Sequence, residues 1–179
     1  MLAKHHYRFL RKIHNAGYYI VRGFDIRNGD PTLLFLLSKG YAKRIYNHNL
    51  DAKGRLFIPA KLREELGEVF YVTVSHEKCL WAYPHETWQA LQERVNALSM
   101  LEQGRMRALF AYAAKCEPDS QGRILLPQNL RDFAGLTKSV TVVGSNNHVE
   151  LWDSDSWTPI MEQEMTPENI YAIMGELGL

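Results

Sequence analysis

Apolar and polar positions fall in two spacings along this chain, and one succession of them occurs twice. Leu56-Phe57-Ile58 and Ile124-Leu125-Leu126 are short apolar runs, each closed by a proline, Pro59 or Pro127. Proline sits well at the first position of a helix. Ala60 to Leu66 and Gln128 to Ala134 therefore read as short helices, stopped by Gly67 and Gly135. β-rich runs follow, Val69 to Val74 and Val140 to Val143, then a turn, then Cys79 to Tyr83 or Val149 to Trp152. Each half predicts strand, turn, strand, short helix, strand, turn, strand. Val72-Thr73-Val74 aligns with Val140-Thr141-Val142 at an offset of 68, and Trp88 with Trp157 after a one-residue slip.

Helical spacing appears elsewhere. Trp88, Leu91, Val95 and Leu98 mark an amphipathic helix over Pro84 to Leu98, whose stripe reads as core or inter-lobe packing. Leu101 to Phe110 reads as a second helix, with Arg105 and Arg107 on a solvated face. Met161 to Leu179 reads as one or two helical turns and then a helix capped at Thr166-Pro167-Glu168. Ile170, Ile173, Met174 and Leu177 give that last helix an apolar edge, fit to dock on its own domain or on another subunit.

The duplicated stretch carries the candidate chemistry. Asp51 to Arg63 reads D-A-K-G-R-L-F-I-P-A-K-L-R, and Asp119 to Arg131 reads D-S-Q-G-R-I-L-L-P-Q-N-L-R. Gly54 and Gly122 can take positive φ, and Asp51 and Asp119 can accept from downstream amides, so D-x-x-G-R reads as a tight turn between strands. Arg55 and Arg123 then open a strand. Two readings stay open for each: a bridge to the aspartate four residues back, or projection toward an anion. Two copies mean that a surface built by one unit is built twice.

D-x-x-G-R-x-x-x-P-x-x-L-R, twice in a chain of this size, resembles the MraZ family of bacterial transcriptional regulators. Tyr46-Asn47-His48-Asn49-Leu50, Leu80-Trp81-Ala82-Tyr83-Pro84 and Val149-Glu150-Leu151-Trp152-Asp153 extend the likeness over residues 45 to 165. The resemblance implies an α+β, β-rich fold of two tandem AbrB/SpoVT-like swapped-hairpin repeats, forming a pseudo-dimer barrel within one chain, with flanking helices. Its expected domains are residues 45–87 and 113–156, with a helical connector at 88–112 and a helical segment at 157–179. It also implies a ring of several chains and double-stranded promoter DNA as partner, at repeats upstream of the protein's own division and cell-wall gene cluster. The expected DNA-binding residues are Lys53, Arg55, Arg63, Arg123 and Arg131, with Asp51, Gly54, Asp119 and Gly122 supporting the turns. Residues 1–44 have no counterpart in the family pattern, and Gln121 stands where the first copy has Lys53, so the halves need not contribute equally.

Composition narrows this picture. The chain has 179 residues, 46% hydrophobic, with a formal charge of +1, which suits two small lobes plus an appendage. No apolar run approaches the ~20 residues that span a bilayer, and no secretory signal is evident, so a cytoplasmic protein is expected, and the resemblance implies association with the nucleoid. Cys79 and Cys116 form no C-x-x-C pair and read as buried free thiols. Residues 1–44 hold nine Lys/Arg against two Asp/Glu, and the remainder holds twelve against eighteen. The repeat body is thus acidic, which argues against one broad phosphate-binding face. Either the bases, Lys61 among them, cluster at the turns, or weak contacts sum across an oligomer. The basic segment interleaves Lys4, Arg8, Arg11 and Lys12 with Tyr7, Phe9, Tyr18 and Tyr19. It reads as a disordered or mis-assigned start rather than as a nucleic-acid-gripping arm. His5, His6 and His14 make no credible metal site.

Two rival readings have distinct marks. An enzyme could use Asp51 and Asp119 as an acid/base pair, but no phosphate loop, nucleophile elbow or H-E-x-x-H is present, and no cofactor is expected. An antitoxin-like protein-binding module would share the superfold.

Overall fold

The computed structural model describes residues 44–176, so the reading of residues 1–43 as a basic extension, and the place of Leu177, lie outside the described residues. Residues 45–164 form one unit. Its first repeat holds β1 (Ile45–Asn49), β2 (Arg55–Phe57), α1 (Ala60–Leu66), β3 (Phe70–Val74) and β4 (Leu80–Pro84). Helices α2 (His85–Asn96), α3 (Met100–Arg105) and α4 (Arg107–Ala111) lead to the second repeat. That repeat holds β5 (Ala114–Cys116), β6 (Arg123–Leu125), α5 (Gln128–Phe133), β7 (Ser139–Gly144) and β8 (Val149–Asp153), followed by α6 (Ser154–Glu164). A second unit, from Met165 onward, contains α7 (Pro167–Glu176), whose start is capped by the Thr166 hydroxyl accepting from the Asn169 amide at 3.3 Å.

The fold is mixed α+β and sheet-rich, and the repeats interleave. Antiparallel strands run β1-β7-β8-β4-β3-β5 in one sheet, and β2 pairs with β6 in a separate ladder. Thus β1 of the first repeat pairs with β7 of the second, and β5 of the second pairs with β3 of the first. Where the resemblance implies a closed barrel, the described strands form an open sheet plus a ladder. The reason is local: β1 and β5 each pair on one side only, while β2 and β6 direct their hydrogen bonds at each other.

Related residues face one another at two places, Leu56 opposite Ile124 and Trp81 opposite Glu150, which marks a pseudo-two-fold axis. The register also corrects one alignment. His48 faces Val140, whereas its counterpart Cys116 faces Phe70. Val140 is therefore equivalent to Phe70 and not to Val72, because two extra residues follow Gly135 before β7 begins. An even slip keeps every side chain on its original face, so the hydrophobic pattern hides it.

One face of the sheet builds the core. Phe70, Val72, Leu80, Ala82, Val140, Val142 and Leu151 meet Leu56 and Ile124 of the ladder, Leu62 and Leu66 of α1, and Leu130 of α5. On the opposite face Tyr71 stacks on Trp88 of α2, with ring centroids 5.2 Å apart, and the Thr73 hydroxyl donates to the Leu109 carbonyl of α4. Of the expected stripe, Trp88 is buried, Leu91 and Val95 are half-buried and Leu98 is exposed, so core packing holds at its start and not at its end. The free thiols of Cys79 and Cys116 are buried, and burial pushes both up to about 12. The expected helix Leu101–Phe110 breaks at Met106. α6 runs unbroken through Pro159.

Candidate nucleic-acid interface

Each motif folds into the same turn. The Asp51 carbonyl accepts from the Gly54 amide at 2.9 Å, and the Asp51 amide donates to the Arg55 carbonyl at 3.0 Å. The side chain closes it further: Oδ1 of Asp51 accepts from the amides of Lys53 and Arg55, both at 2.9 Å. Gly54 supplies the required φ of 77° and Gly122 a φ of 76°. Asp119 repeats the pattern with the amides of Gln121 and Arg123.

Both aspartates also grip their arginines. Asp51 Oδ2 accepts from Arg55 Nε at 2.6 Å. Asp119 Oδ2 accepts from two nitrogens of Arg123, Nε at 2.9 Å and Nη2 at 2.7 Å. The bridge alternative raised by the sequence is therefore made in both turns. These donors hold the carboxyls below the usual aspartate range. For Asp51 the first cause is the Arg55 amide. For Asp119 it is the Arg123 side chain, and the value falls to about 2.

Bridging does not bury the arginines. The Arg55 and Arg123 side chains keep 31% and 27% of their surface exposed. The β2–β6 register puts Arg55 opposite Leu125 and Arg123 opposite Phe57, while Leu56 and Ile124 point inward with 0% and 1% exposed. Strand alternation puts all four flanking side chains on the one outward face. Arg55 and Arg123 are diagonal neighbours there, a relation that spans about 7–8 Å. Lys53 and Gln121 stand exposed at the two turn tips, at opposite ends of the ladder. The aspartates are likewise at opposite ends, each occupied by its own arginine, so they are not brought together as an acid/base pair.

Arg63 and Arg131 do something the sequence did not reveal. Arg63 Nε donates to the Ile58 carbonyl of its own repeat at 3.0 Å, and its guanidinium lies over Gly122 of the other repeat. A Cβ at Gly122 would fall 2.8 Å from Arg63 Cζ. Arg131 mirrors this, donating to Leu126 at 3.0 Å and covering Gly54, with the same 2.8 Å approach. Backbone bonds reinforce the exchange, Ile58 to Gly122 at 2.9 Å and Leu126 to Gly54 at 3.0 Å. Each repeat thus braces the other's turn. The last arginine of the motif and the glycine of the opposite copy form one contact, which is why both recur.

The charge is confined. Lys53, Arg55, Arg63, Arg123 and Arg131 against Asp51 and Asp119 leave a net +3 around the ladder. A cleft of about 750 Å³ beside the second turn is instead lined by Glu64, Glu68, Glu117 and Asp119 along with Arg63. Those carboxylates repel phosphates, whereas the ladder face keeps a net positive charge. Among the described residues no His, Cys, Asp or Glu group is arranged to hold a metal, and no helix is long and apolar enough to cross a membrane.

Comparison with known proteins agrees with the repeat structure. The family described as "MraZ protein, putative antitoxin-like" matches residues 43–108 and again residues 109–172. The chain belongs to the MraZ family. Its similarity to the transcriptional regulator MraZ of Carboxydothermus hydrogenoformans is 47% identity over 115 residues, covering 63% of this chain and 80% of that protein. For the transcriptional regulators MraZ of Acetivibrio thermocellus and Halothermothrix orenii, identity is 43% and 41% over 138 residues, covering 75% of this chain and 96% of each relative. Both MraZ matches contain one complete D-x-x-G-R turn, so the family unit is the repeat and the β2–β6 ladder needs two.

Proposed function

We propose that this chain is a sequence-specific DNA-binding transcriptional regulator, not an enzyme, whose two repeats act as swapped hairpins to present one β-ribbon to the major groove. One observation carries the reading. Arg55 and Arg123 share the outward face of the two-stranded β2–β6 ladder, where the charge around them is net positive. The major groove admits a two-stranded β-ribbon, and a guanidinium can pair bidentately with guanine O6 and N7. Arg55 and Arg123 read bases, while Lys53 meets phosphate at the turn tip. Asp51 and Asp119 orient the arginines, Gly54 and Gly122 allow the turns, and Arg63 and Arg131 brace them. The names of the relatives support the regulatory role. On this reading the protein works at the nucleoid in the cytoplasm. It binds repeated elements at the promoter of its own division and cell-wall gene cluster, and a ring of several chains sums weak contacts from a sparsely charged face.

The test is a salt-titrated anisotropy assay comparing DNA from upstream of the gene with scrambled DNA, using the full chain. Selective binding that weakens steeply with salt is expected. Equal binding to both duplexes would defeat the reading. The antitoxin-like wording of the family description favours a second reading, a protein-binding module. Co-purification of a stoichiometric small protein, with no DNA retained, is the result that reading requires.

A further inference from the structure

The ladder face holds two apolar side chains between its arginines, and they are not alike. Phe57 is only partly exposed. The His48 ring meets it edge-on at 5.0 Å, and the Arg63 guanidinium lies 5.9 Å above its centroid. Leu125, its counterpart, is 61% exposed. The residue matching His48 is Cys116, which is buried and offers Leu125 no ring. An isolated exposed leucine needs no explanation on a protein surface. Leu125 differs by its place: it sits directly across the ladder from Arg55, within a net positive patch.

We infer that Leu125 is a specificity-determining residue that packs on the C5-methyl group of a thymine in the major groove, within one or two base steps of the guanine read by Arg55. The inference rests on the DNA-binding reading above and deepens it. The thymine methyl is the apolar feature of the major-groove code. Side chains directly across an antiparallel pair lie about 4.5–5.5 Å apart, and successive bases on one strand rise about 3.4 Å. A guanidinium on guanine therefore brings its cross-strand neighbour over an adjacent base. Phe57 is held back by His48 and Arg63, so the apolar readout comes from the second repeat.

The experiment deletes one methyl at a time from the DNA. A duplex selected from a random pool by the full-length protein is resynthesised with each thymine changed singly to uracil. Wild-type protein should lose about fourfold in affinity at one or two defined positions, the effect of one buried methyl, and Leu125→Ala should be indifferent to uracil at those positions. Two results overturn the inference and leave the DNA reading standing: selected DNA that binds with no uracil effect at any position, or a uracil loss that persists undiminished in Leu125→Ala. Failure to enrich any sequence overturns both. Should Leu125→Ala not fold, Leu125→Val serves as the second variant. It keeps the strand preference but shortens the side chain, and should weaken the uracil effect.

Discussion

The two repeats are built on one pattern and hold their functional side chains differently. Repeat one has Lys53 at its tip, Arg55 held through a single nitrogen, and a partly covered Phe57. Repeat two has Gln121 at its tip, Arg123 held through two nitrogens, and a bare Leu125. The turns themselves match, with φ of 77° and 76° and reciprocal 2.8 Å approaches. What is symmetric is the framework, and what is asymmetric is the contact chemistry. A pseudo-two-fold ribbon of this kind suits a site that is only approximately palindromic.

The largest test of that difference is Arg55→Ala beside Arg123→Ala. Arg55 is oriented through Nε alone and keeps both terminal nitrogens for a base, whereas Arg123 also commits Nη2 to Asp119. Arg55→Ala is expected to weaken specific binding roughly ten- to hundredfold, and Arg123→Ala by less. Equal losses on specific and scrambled duplexes would reassign Arg55 to phosphate contact. The framework should instead respond evenly. Gly54→Ala and Gly122→Ala each force a positive-φ alanine against a guanidinium, at a cost of about 1–3 kcal/mol. Denaturant unfolding should give similar values for both, and a marked inequality would mean that the bracing is not reciprocal. Arg131→Ala and Arg63→Ala probe the exchange directly. Hydrogen exchange should quicken at the amides of Lys53 and Arg55 in Arg131→Ala, and at those of Gln121 and Arg123 in Arg63→Ala. Faster exchange confined to the mutated repeat would contradict the crossed contact.

Smaller effects separate the tips and the acids. Lys53→Gln should lower the salt slope of DNA binding by about 1, and Gln121→Lys should raise it by about 1. No change from either would place both tips away from the phosphates. Asp119 sits at about 2 against an ordinary 3.8. A carboxyl lowered on folding stabilises above its unfolded value and loses that contribution as pH falls through its folded one. Asp119→Asn should therefore flatten the fall in stability between pH 3.8 and about 2, with Asp51→Asn acting in the same direction. An unchanged acid slope would show that the second turn does not depend on its carboxylate.

Local signals in the sequence were reliable where one residue type forces one geometry. Pro59 and Gly67 bracket α1, which runs Ala60–Leu66 as read. Asp51 and Gly54 specify their turn. The sequence misled where an outcome depends on a distant partner. The two-residue slip before β7 preserves alternation, so only the ladders reveal it. Arg63 and Arg131 read as DNA-binding residues, and nothing in the sequence places either over the other repeat's glycine. The difference between Phe57 and Leu125 was hidden too, because both are simply apolar until their neighbours are known.

Interleaving also governs how the chain comes into being. β1 finds its partner β7 only when roughly a hundred further residues have been made, which at typical synthesis rates is on the order of ten seconds. Until then the first repeat leaves the ribosome with its edges open and half of its ladder missing. At that stage the first turn lacks the Arg131 guanidinium that covers Gly54 in the finished fold. Completion of the second repeat is thus the event that creates both halves of the ribbon at once, and a truncated product carries no half-strength version of it.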